Sequence, residues 1–307
     1  MQGDVLVIGD LLLDIVVSPS GPIRPDGDIP AAISLLPGGQ GGNLAVRLAR
    51  RGRRVGLSAA LGEDAHGAML RAACAADGVE LEVRPAARTG VVVILVDPDG
   101  RRSMLSNRAP TPAATDLGTA TAAIVCSGYA LLDPTGTELA RSLGARPAGC
   151  RLVIVGCAVP SSDAARELIS RINDARAELV ICNRDEALAL LANDEPGLER
   201  LARVVGERLG TLAIITDPRR GSAASHAGVG PVPGALVGGP PRDPTGAGDA
   251  YAAALVDRLL DASWPPETSV LADAMRAGAD LAAQVVGVIG AQARVPMEHA
   301  VDGRAGT

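Results

Sequence analysis

The run DPTGAGDAYAAAL, residues 243 to 255, places Gly246, Ala247 and Gly248 directly before Asp249 and an alanine-rich stretch. Such small residues let backbone N–H groups approach a ligand, and a helix start collects unpaired N–H groups whose dipole favours an anion. The N–H groups of 246–249 therefore form an anion site, and Asp249 inside that field is expected to stay ionised at pH 7. An anion hole and a carboxylate within four residues suit phosphoryl transfer to a hydroxyl. The hole offsets charge on the moving γ-phosphate, and the carboxylate accepts the hydroxyl proton late, so a weak base suffices. The bland alternative is a turn followed by an ordinary helix cap.

A second cluster, GGQGGN (38–43), ends in Asn43. Gly38, Gly39, Gly41 and Gly42 allow close backbone approach, and Asn43 offers both a donor and an acceptor. Beside Asp14, which only accepts when ionised, this suits a polyol whose hydroxyls both donate and accept. A purely structural glycine turn is the competing reading. A dinucleotide fingerprint fails, because the spacing is wrong and the glycines do not follow the first strand.

Composition narrows the class. The chain has 307 residues, is 47% apolar and contains no Phe, one Trp and two Tyr, so its core must be aliphatic. A net charge of −6 and the lack of interleaved aromatics argue against nucleic acid as a partner. All 29 Lys+Arg residues are arginine, which excludes a Schiff-base lysine and a P-loop. Cys74, Cys126, Cys150, Cys157 and Cys182 show no CxxC spacing and read as buried thiols of a cytoplasmic protein. His66, His226 and His299 lie too far apart in sequence to suggest a metal cluster. The opening MQGDVLVIGDLLLDIVV is broken by Asp4, Asp10 and Asp14 and reads as neither a signal peptide nor a membrane span.

These residues need a scaffold, and the pattern supplies an α/β one. Short apolar runs at 5–9, 55–62, 122–128, 151–158, 178–183 and 211–216 read as buried strands. Helical patterns cover 43–52, 66–78, 161–172 (capped by Ser161 or Ser162), 185–192 and 197–210. Strand, crossover helix, strand is the signature of a mostly parallel sheet, whose ligands sit beyond the carboxyl ends of its strands. Asp14, the 38–42 glycines, Asn183, Glu186, Thr216 and Asp249 are all assigned to such strand-end loops. Two pieces break the rhythm. LLLDIVV and IPAAISLLPGG flank a Pro/Gly/Ser segment at 18–30, and 88–107 reads as a hairpin turning at Asp-Pro-Asp-Gly. They suggest a small second sheet standing as a lid over the main one, with an ordinary surface hairpin as the alternative.

Taken together, GGQGGNLAVRLARRG and DPTGAGDAYAAAL resemble the two signatures of the ribokinase-like, or PfkB-type, carbohydrate and nucleoside kinases. The order of Asp14 after VIGD, NRDE at 183–186 for the family's NxxE, and GAQARVP at 290–296 agrees, so the resemblance spans residues 4–296. It implies a ribokinase-like three-layer αβα sandwich over 1–307, with lid segments near 12–36 and 88–108. It also implies an ATP-dependent kinase acting on a hydroxymethyl group. By that resemblance Asp249 is the base and Gly246, Ala247 and Gly248 the anion hole. Asp14, Gly38, Gly39 and Asn43 hold sugar hydroxyls, and Asp133 falls loosely near a substrate-contacting glutamate. Asn183 and Glu186 organise Mg²⁺ and phosphate through water, and Thr216 and Gly221 lie beside the nucleotide. Asp243 and Thr245 match a loop that binds a monovalent cation such as K⁺ in many members. A homodimer through the lid is a further expectation. Two residues depart from the pattern: Gln40 stands where many ribokinases have lysine, and Pro218 replaces a glycine of the nucleotide loop.

A pentose or hexose is the leading substrate class. A nucleoside is the rival, weakened by the lack of Phe. A 2-keto-3-deoxygluconate kinase is the other, if Arg101, Arg102 or Arg108 meets a carboxylate. A non-catalytic sugar-binding protein on a kinase fold is the alternative from another class, and the intact Gly-Ala-Gly-Asp run speaks against it.

Overall fold

The computed structural model describes residues 4–97, 101–109, 117, 122–191, 197–225 and 243–295. The first strand, β1 (Val5–Ile8), leads into two strands of a separate sheet, β2 (Leu12–Pro19) and β3 (Ala31–Gly38). The chain returns through α1 (Gln40–Arg50) to β4 (Val55–Gly62), then through α2 (Ala65–Ala76) to β5 (Glu80–Ala86). It re-enters the small sheet as β6 (Val91–Val96) and β7 (Arg102–Asn107). The second half runs β8 (Ala123–Ser127), α3 (Gly128–Leu132), α4 (Gly136–Gly144), β9 (Arg151–Val155), α5 (Ser162–Ala175) and β10 (Leu179–Asn183). It continues as α6 (Arg184–Leu191), α7 (Leu198–Leu209), β11 (Leu212–Asp217), β12 (Gly221–Ala224), α8 (Ala247–Leu259) and α9 (Thr268–Val285).

The main sheet has the order β12-β11-β10-β9-β8-β1-β4-β5, parallel throughout except for the edge strand β12. Alternation along each strand sorts side chains into two layers. Val5 and Val7 of β1, Val125 of β8 and Ile181 of β10 join α1, α2, α8 and α9 on one face. Leu6, Ile8, Ile124, Cys126 and Val180 join α3 to α7 on the other. Helices on both faces explain why the strands read as continuous apolar runs. All five cysteines are buried free thiols within these layers, as expected.

Strand order reverses beside β1: the chain moves from β1 toward β5 in its first half and from β8 toward β12 in its second. The crevice above β1 and β8 is thus a topological switch point, where open α/β sheets hold ligands. Over it stands the small sheet, order β3-β2-β6-β7, with only β2 and β6 parallel. Its inner face packs Leu12, Val16, Val92 and Ile94 into a cluster with Leu36 and Val96. The two lid segments read from sequence are this sheet. The residues after Asp97 in the predicted hairpin turn lie outside the described residues, as do 238–242, His226, Pro296 and His299.

Several boundaries move. α1 begins at Gln40, three residues before the predicted start at Asn43, so Gly41 and Gly42 are in its first turn. Ser161, not Ser162, caps α5, its hydroxyl accepting the Ala164 N–H at 3.2 Å. β5, β12, α3, α4 and α9 have no counterpart among the predicted elements. β5 is half-buried at an edge and β12 has only four residues, so neither carries the apolar run of a central strand. No helix among the described residues is long and apolar enough to cross a membrane.

Candidate active site

Asp249 lies in the first turn of α8 behind the N-cap Gly246, whose φ of 76° is left-handed. A Cβ at Gly246 would stand 2.9 Å from Ala291 Cα, so glycine is required there by backbone conformation and by packing. No side chain caps this helix, and nothing lies within 4 Å of a Cβ built on Gly248. The first-turn N–H groups, which have no intrahelical acceptor, open toward the crevice.

Two helices hold Asp249. Asn43 Nδ2 on α1 donates to Asp249 Oδ2 at 2.7 Å, and Gln292 Nε2 donates to Asn43 Oδ1 at 3.1 Å. Asn43 and Gln292 are both buried, so this chain sets the amide's direction. Burial pushes the Asp249 carboxyl up to about 6, and Glu186 nearby adds to the rise. The Asn43 bond, Gln40 and the Arg47 guanidinium draw it down. The expected pull of the anion hole is thus outweighed by desolvation, yet a group at about 6 is still roughly nine-tenths ionised at pH 7.

Asp14 is not in a strand-end loop, as the sequence suggested, but inside β2, on the inner face of the lid opposite Leu36. Its carboxylate covers Gly38 so closely that a Cβ there would be 2.1 Å from Oδ2. Burial raises Asp14 to about 7, and the like charges of Asp249 and Asp243 raise it further. Asp14, Asp249 and Asp243 thus lie within electrostatic reach of one another. The glycines divide their work. Gly38 makes room for Asp14, while Gly41 and Gly42 serve packing. A Cβ on Gly41 would be 2.7 Å from the Gly9 carbonyl carbon, and one on Gly42 would be 2.7 Å from Leu11 Cδ1. Their N–H groups are taken by Asp10, Gly41 by Oδ1 at 3.3 Å and Gly42 by the carbonyl at 3.0 Å. Gly39, the α1 N-cap at φ 86°, leaves no room for a Cβ against the Asp10 carbonyl.

Asn183 and Glu186 form a reciprocal cap at the end of β10. The Asn183 N–H donates to Glu186 Oε2 and the Glu186 N–H to Asn183 Oδ1, each at 2.9 Å. Burial raises Glu186 above the usual carboxylate range. Its remaining oxygen capacity beside Asp249 suits a hydrated Mg²⁺, a hard cation that keeps most of its waters. Thr216 is the register neighbour of Asn183 on β11, and Gly221 opens β12 opposite Asp217. The Pro218 turn is ordered by Asp217, whose carboxylate accepts the Arg219 N–H at 2.7 Å and whose carbonyl accepts the Arg220 N–H at 3.2 Å. Asp133 caps α3, and its carboxylate accepts from the N–H and hydroxyl of Thr135, each at 3.3 Å.

Asp243 and Thr245 do not fit a free monovalent cation. Thr245 Oγ1 donates to Asp243 Oδ1 at 2.5 Å and accepts from Arg102 Nη1 of the lid at 2.6 Å, which puts a guanidinium at the loop.

Sequence reasoning gave no site role to Asp10, Ser127 or Tyr129, and Gln40 and Arg108 take contacts other than those considered for them. Buried Asp10, directly after β1, pairs with the Arg108 guanidinium, which stacks over the Tyr129 ring at 3.8 Å. Gln40 bridges the crevice, donating to the Gly156 carbonyl at 2.9 Å and accepting from the Ser127 hydroxyl. It does as an amide what a lysine at the same position could not, because it also accepts. The strand-end rule that found Asn183 would also have found Asp10 and Ser127.

A family model for pfkB family carbohydrate kinases matches residues 2–298. No curated protein gives a significant match. Among solved structures, adenosine kinase from Sinorhizobium meliloti superposes with a TM-score of 0.78 at 22% identity, covering 97% of each chain. Ribokinase from Thermotoga maritima gives 0.75 at 20% identity over 95% of each chain. Aminoimidazole riboside kinase from Salmonella enterica gives 0.74 at 25% identity, over 95% of this chain and 96% of that one. The three-layer sandwich with its small separate sheet is therefore the ribokinase-like fold. A match that runs from before β1 to beyond α9 makes this chain a member of the pfkB carbohydrate kinase family, and so a phosphotransferase.

Proposed function

We propose that this protein is an ATP-dependent kinase of a neutral polyol, a pentose or hexose sugar, phosphorylating its hydroxymethyl group. The observation that carries the reading is Asp249 held by Asn43 at 2.7 Å in the uncapped first turn of α8. That arrangement sets a proton acceptor beside the helix-start N–H groups, of which that of Ala247 donates to the Pro244 carbonyl at 3.4 Å. The substrate's primary hydroxyl gives its proton to an Asp249 carboxylate oxygen. The hydroxyl oxygen bonds to the γ-phosphorus as the bond from phosphorus to the leaving ADP oxygen breaks. The N–H groups at 246–249 offset the charge on the transferring oxygens. Asp14, Gly38, Gly39 and Asn43 orient the sugar hydroxyls from the lid side. Asn183 and Glu186 would hold Mg²⁺ through water, and the ion would supply charge neutralisation on the phosphates. Thr216 and Gly221 border the nucleotide.

The lid arginines disfavour a carboxylated substrate such as a keto-deoxy sugar acid. Arg108 is engaged by Asp10 and Tyr129, and Arg102 by Thr245. A nucleoside is the second reading, because Tyr129 offers an aromatic face near the crevice and one solved relative is an adenosine kinase. Asp133, occupied in its own turn, is the weakest member of the proposed substrate set. The outer face of the lid exposes Ile33, Leu35 and Leu105, which supports a homodimer through this sheet. Five buried free thiols support a cytoplasmic location.

The test is ADP release from Mg-ATP across pentoses, hexoses, keto-deoxy acids and nucleosides. A response confined to one sugar class supports the reading. Silence across the panel, with sugar binding detectable by calorimetry, overturns it in favour of a non-catalytic binder.

A further inference from the structure

Arg102 projects from the inner face of the lid, paired with Val96 on β6. Its guanidinium crosses to the loop ahead of α8 and meets Thr245 Oγ1 at 2.6 Å. Behind that hydroxyl lies Asp243, only 7% exposed. Asp243 Oδ1 accepts the Thr245 N–H at 2.9 Å and its hydroxyl at 2.5 Å, while Oδ2 accepts the Gly290 N–H at 2.8 Å. All these donors are neutral. A carboxylate this buried needs compensating charge as well as hydrogen bonds, and the guanidinium one hydrogen bond away supplies it.

We propose that Arg102 is the resident cation of the Asp243–Thr245 loop, a positioning residue that sets the adjoining anion hole, so that the protein needs no free monovalent cation. Thr245 is followed directly by Gly246, so whatever fixes Thr245 fixes the first N–H groups of α8. The cation is carried by a lid strand, which means the loop is fully set only with the lid in place over the crevice. Burial lowers the Arg102 pKa, and the Asp243 charge opposes that.

The rate arm of the test rests on the kinase reading; the stability arm does not. Turnover and thermal melting are measured in KCl and in tetramethylammonium chloride at equal ionic strength, for the natural protein, Arg102→Met and Arg102→Lys. The natural protein is expected to give the same rate and melting temperature in both salts. Arg102→Met is expected to lose about tenfold in kcat in tetramethylammonium, the worth of one charge-assisted hydrogen bond, and to recover at least half of the lost rate and of the lost melting temperature in KCl. Arg102→Lys, which keeps the charge but not the planar fork, is expected to fall between the two. The proposal is overturned if KCl selectively raises the rate or melting temperature of the natural protein. It is equally overturned if Arg102→Met matches the natural protein in both salts. With no kinase substrate found, the melting comparison alone decides.

Discussion

Replacing Asn43 with Leu removes one defined contribution to the state of the catalytic base. The bond from Nδ2 to Asp249 Oδ2, 2.7 Å long and shielded from water, favours the ionised carboxylate. A hydrogen bond to a charged acceptor contributes about 1.5–3 kcal/mol, and each pKa unit is about 1.4 kcal/mol, so its loss raises Asp249 by about 1–2 units. From about 6, the carboxyl moves to roughly 7–8. The sign follows from which form the bond holds: deleting a donor to the anion stabilises the protonated acid, which cannot accept the substrate proton. The acid limb of kcat/KM, which reports the free enzyme, then shifts upward by the same amount. At pH 6.5 the variant is down by roughly three- to twenty-five-fold from ionisation alone, and much of this returns by pH 9. The assay is coupled ADP release from pH 5.5 to 9.5. The proposed function also gives Asn43 a sugar contact, so a uniform loss in kcat/KM is expected in addition, and the position of the limb is the diagnostic quantity. An unchanged limb would refute the claim that Asn43 governs the charge of Asp249.

Three other outcomes follow from the same geometry. Asp249→Asn keeps the site's shape and loses the proton acceptor, so kcat falls about 10²–10⁴-fold while calorimetry still shows sugar binding; an unchanged kcat removes Asp249 as the base. Arg108→Ala leaves Asp10, 5% exposed, without its guanidinium. Stripping one partner from a buried pair costs about 3–5 kcal/mol, the partial exposure of Arg108 favours the lower end, and urea unfolding measures it. Leu105→Arg puts a charge on the exposed outer face of the lid and is expected to yield monomers by sedimentation equilibrium, with the melting temperature of the subunit preserved.

The layers of the fold were legible because fully buried parallel strands leave continuous apolar runs, and β1, β4, β8, β9, β10 and β11 all do. The edges were not. β5 carries Glu80, Glu82 and Arg84 because one side faces water, and β12 is too short to show a period. The start of α1 was misplaced because four glycines read as a loop, whereas packing against Gly9 and Leu11 requires small residues inside the helix itself. At the site, Asp249 and its N–H row were visible as one contiguous segment. The supports were not visible as a set, because Asn43 meets Asp249 across 206 residues, Gln292 meets Asn43 across 249 and Arg102 meets Thr245 across 143, and only topology brings them together. Arg102, which meets Thr245, belongs to another sheet and was hidden for the same reason.

Charge decides what this crevice accepts. Asp10, Asp14, Asp243, Asp249 and Glu186 converge on it, while Arg108 is bonded to Asp10, Arg102 to Thr245 and Arg47 to the Ala291 carbonyl. On the proposed reading, such a field disfavours an anionic acceptor and suits neutral hydroxyls. Asp14 is the sensitive member, because at about 7 it is half protonated at neutral pH. A sugar hydroxyl donates more strongly to the carboxylate than to the carbonyl oxygen of the neutral acid, so binding should strengthen as pH rises. The dissociation constant is expected to fall as pH rises through about 7 and to flatten once the carboxylate is fully ionised. Calorimetry of the accepted sugar without nucleotide, from pH 5.5 to 8.5, reads this directly. In Asp14→Asn, whose amide oxygen accepts at every pH, binding should be weaker and independent of pH over the same range. A dissociation constant already flat in the natural protein would mean that the sugar does not donate to Asp14.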